Sequence, residues 1–184
     1  MARRNIGVAI EVPQPHGAHL QRWRQRLGDP LAMRVPPHVT LLPPTSIPGE
    51  RLPVVEEHLR RIAADERAFG ITLRGTGTFR PVSPVTFVQL AAGISDCERL
   101  EARVRSGPLF RQIKFNYHPH VTVAQDVDDP ALERGFTALA TYQATFEVWG
   151  FTLFEEGPDR VWRPQRDFPF GQDLPGPPPG MPEA

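Results

Sequence analysis

Halfway along, the chain starts its pattern again. Residues 38–40 read His-Val-Thr and residues 120–122 read His-Val-Thr, each triplet preceded by a proline and followed by an aliphatic residue. The two triplets lie 82 residues apart, and the same offset carries Leu52 to Arg134, positions on two matching helical stretches. Order and spacing repeat even though side-chain identity does not, which marks a duplicated structural unit. A chain built this way is constrained to two related lobes.

Local periodicity supports this reading. Ile6, Val8, Ile10 and Val12 alternate with small or polar residues, the period of a half-buried strand, and Pro13 ends it. The segment from Pro15 to Leu27 reads as a helix stopped by Gly28-Asp29-Pro30, and residues 37–42 as a short strand ended by Pro43-Pro44. Leu52, Val55, Leu59 and Ile62 form one apolar stripe of a second helix, and a strand over about 71–79 closes the half. The second half gives a strand from Val85 to Leu90, a helix stripe of Cys97, Leu100 and Val104, and a strand at 119–124. It continues with a stripe of Leu132, Phe136 and Leu139, one long alternating strand from Ala144 to Phe154, and a last strand near Arg160–Arg163.

Few helices, short motif strands and two half-size repeats favour an α+β fold over a doubly wound parallel sheet. The expectation is a bilobal, pseudo-duplicated architecture with antiparallel sheets lining a central cleft and helices outside. It is one domain over residues 1–170, with lobes of roughly 1–80 and 81–170. Residues 171–184 carry five prolines and almost no large apolar side chain, the composition of a disordered tail.

Composition narrows the function classes. Residues 1–92 hold 12 basic against 7 acidic side chains and residues 93–184 hold 9 against 14, so net charge is zero with a mildly basic first half. That excess suits attraction of a phosphate but is too small and dispersed for tight duplex binding. Cys97 is the single cysteine, which allows no internal disulfide and no zinc-binding pair. With no signal-like start and no run near the ~20 apolar residues of a membrane span, a cytoplasmic protein without membrane attachment is expected, and nothing points to an obligate protein partner, so a monomer is expected too.

The chemistry resides in the triplets. Alternate strand residues share a face, so His38 and Thr40 stand about 6.6 Å apart on one side while Val39 and Leu41 face the core. His120 and Thr122 repeat this against Val121 and Val123. Across a shared cleft the four side chains supply what phosphodiester chemistry needs without metal or covalent intermediate. One neutral imidazole takes a proton from the attacking hydroxyl or water, and one protonated imidazole gives a proton to the departing oxygen. An unperturbed histidine titrates near pH 6.5, which suits both roles. The threonine hydroxyls donate to non-bridging phosphate oxygens as charge builds. The pattern leaves open which imidazole plays which part.

With these two motifs the chain resembles the 2H phosphoesterase superfamily, and within it the bacterial branch called RNA 2′,3′-cyclic phosphodiesterase or 2′-5′ RNA ligase. The resemblance covers residues 5–165 and includes the opening strand Ile6–Val12 and the passage from Gly77-Thr78-Phe79 through the Pro81/Pro84 turn to Val88. It implies opening of 2′,3′-cyclic phosphate ends of RNA or nucleotides to 2′-phosphates, with reversible ATP-independent 2′-5′ ligation in some members. RNA ends or small cyclic nucleotides are the partners so implied, and no cofactor is. It also implies His38 as proton donor, His120 as proton acceptor, and Thr40 and Thr122 as phosphate ligands.

Arg34, Phe79, Arg80, Tyr117 and His118 are further candidates for substrate contact, as are Arg111, Lys114, Phe110 and Phe115, although surface charge and core packing are the simpler accounts of such residues. His16, His19 and His58 read as solvent-facing helix residues. His118-Pro119-His120 could present two metal ligands, but no second donor cluster stands at ligand spacing, and Asp126, Asp128 and Asp129 read as a helix start, so no metal is expected. No Gly-rich loop ending in Gly-Lys-Ser/Thr is present, and Lys114, the only lysine, leaves no obvious adenylated nucleophile. Two other readings remain: a module that binds RNA ends or nucleotides without turnover, and a metal hydrolase using His118 and His120.

Overall fold

The computed structural model describes residues 2–171. The elements run β1 (Arg3–Glu11), α1 (His16–Leu27), β2 (His38–Pro48), α2 (Leu52–Asp65), β3 (Phe69–Thr78), β4 (Val85–Ala92), α3 (Ile94–Val104), β5 (His120–Gln125), α4 (Asp129–Ala138), β6 (Gln143–Val148), β7 (Gly150–Glu156) and β8 (Trp162–Pro169). The expected tail, beyond Gly171, lies outside the described residues. The α+β class is as expected.

All eight strands pair antiparallel in the order β6-β3-β4-β5-β2-β1-β7-β8. The lobes join between β5 and β2 through one register pair, Val39 with Val121. About this seam β2 matches β5, β1 matches β4 and β3 matches β7. The 82-residue offset lays β1 over β4 and β3 over β7. The third strand of each repeat therefore crosses to the other lobe, β3 pairing with β4 and β7 with β1. The spatial lobes are thus not the two halves of the sequence.

Three expectations about strands are corrected. The long strand 144–154 is two strands, β6 on β3 and β7 between β1 and β8, separated by Trp149. Since consecutive strands sit toward opposite ends of one sheet, the sheet must curl until those ends approach, which gives a half-barrel. Gly150 marks the crossing, because a Cβ there would stand 2.5 Å from the Phe168 carbonyl oxygen. β2 runs on to Pro48 rather than ending at Pro43-Pro44. Register shifts where Val8 pairs with Leu42 and Ile6 with Thr45, so the two prolines sit in a bulge opposite Gly7 and owe no ladder donor. β8 covers 162–169 instead of 160–163. It is an edge strand, mostly exposed and charged, as edges that resist further pairing are.

One apolar core unites one face of the sheet with the helices. Val39, Leu41, Val121 and Val123 are all buried in it, beside Leu59, Ile62, Leu100 and Val104. Burying the apolar side of both motif strands leaves their polar side to face the concavity. Cys97 lies in the same core, and burial pushes its thiol up to about 12, far from a nucleophile's range.

Candidate active site

A cavity of about 310 Å³ opens on the concave side of the sheet, and His38, Thr40, His120 and Thr122 all line it. Gly7, Val8 and Ala9 of β1 form its floor, and Arg24, Gln125 and Trp162 complete the wall. Both imidazoles are fixed in the same way. His38 Nδ1 lies 2.7 Å from the Pro36 carbonyl oxygen and His120 Nδ1 lies 2.7 Å from that of His118. A carbonyl only accepts, so each Nδ1 carries the proton, which leaves each Nε2 for a substrate. At His38 that nitrogen lies 3.1 Å from Thr40 Oγ1, whose hydroxyl donates to it. Repeat equivalence thus extends to the backbone carbonyl two residues upstream of each histidine.

Burial lowers the pKa of His38 to about 4, against the raising effect of the Pro36 carbonyl and with help from the positive charge of Arg24 and from repulsion by His120 whenever that ring is protonated. Each ring keeps partial contact with solvent through the cavity mouth, which moderates the depression. His120 is lowered in the same sense, chiefly by burial and further by the nearby His118. Without substrate both imidazoles are therefore mainly neutral at pH 7.

Arg24 escaped the reading of the sequence, although a signal was present. It occupies a core position of the stripe Leu20-Arg24-Leu27 on α1, where an apolar residue is the norm, and it is 2% exposed. Gly28, in the left-handed region at φ +77°, turns the chain so that the Asp29 carboxylate accepts from Arg24 Nε at 2.9 Å. Arg24 Nη1 donates to the Val35 carbonyl at 2.6 Å, one residue before the carbonyl that holds His38. Gln125, Trp162 and Phe87 were also missed, and nothing in their local sequence marks them.

The remaining candidates surround the cavity rather than line it. Phe79 packs edge-on against His120 with centroids 4.9 Å apart, and Phe87 lies tilted against it at 5.0 Å, so both brace the ring. His118 is exposed, and its ring meets Phe79 and Phe87 edge-on. Tyr117 donates from its hydroxyl to the Thr40 carbonyl at 2.8 Å, tying the segment before β5 to β2. Arg80 pairs with Glu133 at 3.0 Å, and Arg34 lines a neighbouring cavity. Arg111 donates to Thr45, while Phe110 and Phe115 stand exposed. The helix histidines are not simply solvated as expected: His19 stacks on Tyr142 and His58 reaches the Val104 carbonyl. Asp128 does cap α4, accepting from the Ala131 N–H at 2.8 Å. Among the described residues no three His, Cys, Asp or Glu side chains gather as a metal site.

The 2′-5′ RNA ligase superfamily description matches residues 12–160, most of the chain. The protein belongs to that superfamily, the 2H phosphoesterases. The relative named "Putative phosphoesterase BH1439", from Halalkalibacterium halodurans, is 29% identical over 171 residues, which cover 92% of this chain and 99% of that protein. GK0864 of Geobacillus kaustophilus, named likewise, is 26% identical over 141 residues, 77% and 80% of the two chains. Among solved structures, E. coli LigT complexed with 3′-AMP superposes with a TM-score of 0.69 at 20% identity, covering 93% of this chain and all of LigT. TT0787 of Thermus thermophilus gives 0.61 at 23% identity over 91% and 99%. These structural likenesses establish the fold. Membership of the superfamily supports phosphoesterase chemistry in general terms. No helix among the described residues is long and apolar enough to cross a membrane.

Proposed function

We propose that this protein opens 2′,3′-cyclic phosphate ends of RNA or nucleotides to 2′-phosphates by acid-base catalysis between His38 and His120. The observation that carries the reading is the convergence of both duplicated triplets on one cavity, each histidine held through Nδ1 with Nε2 left for the substrate. Water attacks phosphorus and gives its proton to His120 Nε2. The bond from phosphorus to the 3′-oxygen breaks as His38 Nε2 delivers a proton to it, so a 3′-hydroxyl and a 2′-phosphate result. That division of labour follows the family resemblance. Thr40 and Thr122 donate to the equatorial oxygens, and Thr40 exchanges its resting bond to His38 for one to phosphate.

His38 is neutral in the free site, so it must gain its proton with the substrate. The negative charge of a bound phosphodiester favours the imidazolium and offsets the desolvation that depresses it. When a 5′-hydroxyl replaces water as nucleophile, the same steps form a 2′-5′ linkage without ATP. E. coli LigT complexed with 3′-AMP, ATP and NADP+ agrees with a nucleotide ligand in such a fold.

The test is incubation with nucleoside 2′,3′-cyclic phosphates in chelator, with product analysis that separates 2′- from 3′-phosphate. The expected product is the 2′-phosphate, with loss of about 10²- to 10⁴-fold in kcat for His38→Ala and for His120→Ala. Turnover that survives both substitutions together overturns the proposal. Saturable binding without product would favour a module that only holds phosphorylated ends, and activity lost in chelator would favour metal chemistry at His118 and His120.

A further inference from the structure

A second cavity, of about 420 Å³, lies beside the first, and Val35, Pro37 and Trp162 line both. The first cavity, at about 310 Å³, stands at the small end of the ~300–1,000 Å³ typical of ligand sites, so it suits one nucleotide. The wall between the two is built rather than incidental, since the Trp162 backbone N–H donates to the Arg34 carbonyl at 2.8 Å. Arg34 itself is half-buried and lines the second cavity, and its guanidinium makes no ion pair or side-chain hydrogen bond with any described residue. A cation on a cavity wall with no anionic partner among the described residues is available to an anionic group of a ligand.

The rest of the second cavity suits a base. Gly17, Ala18 and Ala32 are small residues of its lining, and Met33, also lining it, is 74% exposed. Gln14 Oε1 is held by the Ala18 N–H at 2.9 Å, which leaves its amide –NH₂ free to donate. Glu11 also lines the cavity, where its carboxylate can accept from the amino group of a base.

We propose that this cavity holds the nucleotide on the 5′ side of the cyclic phosphate, with Arg34 on the phosphodiester that joins the two. The preferred substrate is then the 3′ end of an oligoribonucleotide, not a free cyclic mononucleotide. This inference rests on the function proposed above. A chain continuing from the 5′-oxygen of the terminal nucleoside must leave the first cavity, and on the far side of the wall shared by Val35, Pro37 and Trp162 stand an unpaired cation and a base-sized space.

The experiment compares kcat/KM for a nucleoside 2′,3′-cyclic phosphate, the same compound bearing a 5′-phosphate, and a dinucleotide ending in that cyclic phosphate. The dinucleotide should exceed the mononucleotide at least tenfold, mainly through KM, and the 5′-phosphate alone should recover part of the gain. In Arg34→Ala the advantage of the 5′-phosphate disappears and Arg34→Lys restores some of it, while Ala18→Trp, which fills the cavity, brings the dinucleotide ratio toward one. Equal kcat/KM for all three substrates in the unaltered protein overturns this inference and leaves the diesterase intact. A dinucleotide preference that both variants retain overturns it too, whereas no turnover of any substrate overturns the underlying reading of function.

Discussion

Val39 and Val121 face each other as register partners at the seam between the lobes, and both side chains are fully buried. Carrying that antiparallel register one residue each way sets His38 opposite Thr122 and Thr40 opposite His120. Cross-strand neighbours stand about 5 Å apart, so each imidazole has a hydroxyl from its own strand and one from its partner strand within reach of a shared phosphate.

Thr40→Val and Thr122→Val follow directly from this arrangement. Each substitution keeps the shape and removes a donor to the charge that develops on phosphorus. A loss of about 10²-fold in kcat with little change in KM is expected for each, in steady-state assays on a cyclic nucleotide. A rate within twofold of the unaltered protein for either variant removes that threonine from the mechanism.

The pH dependence has a definite sign. Turnover needs one imidazole protonated and the other neutral, and burial lowers both pKa values in the free site, that of His38 to about 4. The profile of kcat/KM reports the free enzyme, so whichever histidine donates, both of its limbs should fall below pH 6.5. The bound phosphate raises the pKa of an imidazole beside it, so the falling limb of kcat should lie at higher pH than that of kcat/KM. Rates measured from pH 4 to 9 check this, and coincident falling limbs would contradict substrate-assisted protonation.

The exchange of β3 and β7 between lobes predicts that the sequence halves do not fold apart. A fragment of residues 1–80 lacks the β7 partner of β1, and its β3 is left without β4. Each fragment should show little cooperative unfolding by itself, and mixing the two should restore a thermal transition and some activity. Two independently cooperative fragments would refute the topology.

What the sequence discloses here follows the range of the forces involved. The strands and helices near the triplets are written in local period, and Val39, Leu41, Val121 and Val123 could be assigned to the core from alternation alone. The 82-residue offset even holds the equivalence of β3 and β7, but pairing between lobes is non-local, and the break at Trp149 shows only as a one-residue slip in phase, from Ala144, Phe146 and Val148 to Phe151 and Leu153. The bulge that takes β2 through Pro43-Pro44 is invisible for a similar reason, since it depends on Gly7 in another strand. The polar pair Arg24 and Asp29 was legible only as an anomaly in the Leu20-Arg24-Leu27 stripe.

That pair supports the last prediction. Arg24 fixes Val35 while Asp29 fixes Arg24, and the adjacent Pro36 carbonyl sets the ring of His38. Arg24→Met leaves the Asp29 carboxylate buried beside an apolar side chain and should cost about 3–5 kcal/mol of stability, read as a lower midpoint in denaturant unfolding. The double variant Arg24→Met/Asp29→Leu removes both charges and should regain most of that loss. If Arg24 positions His38, the double variant folds yet turns over about tenfold more slowly with KM little changed, because the strap before His38 is no longer held, and Arg24→Lys falls between the two. Full kcat in the double variant would assign the buried pair to stability alone.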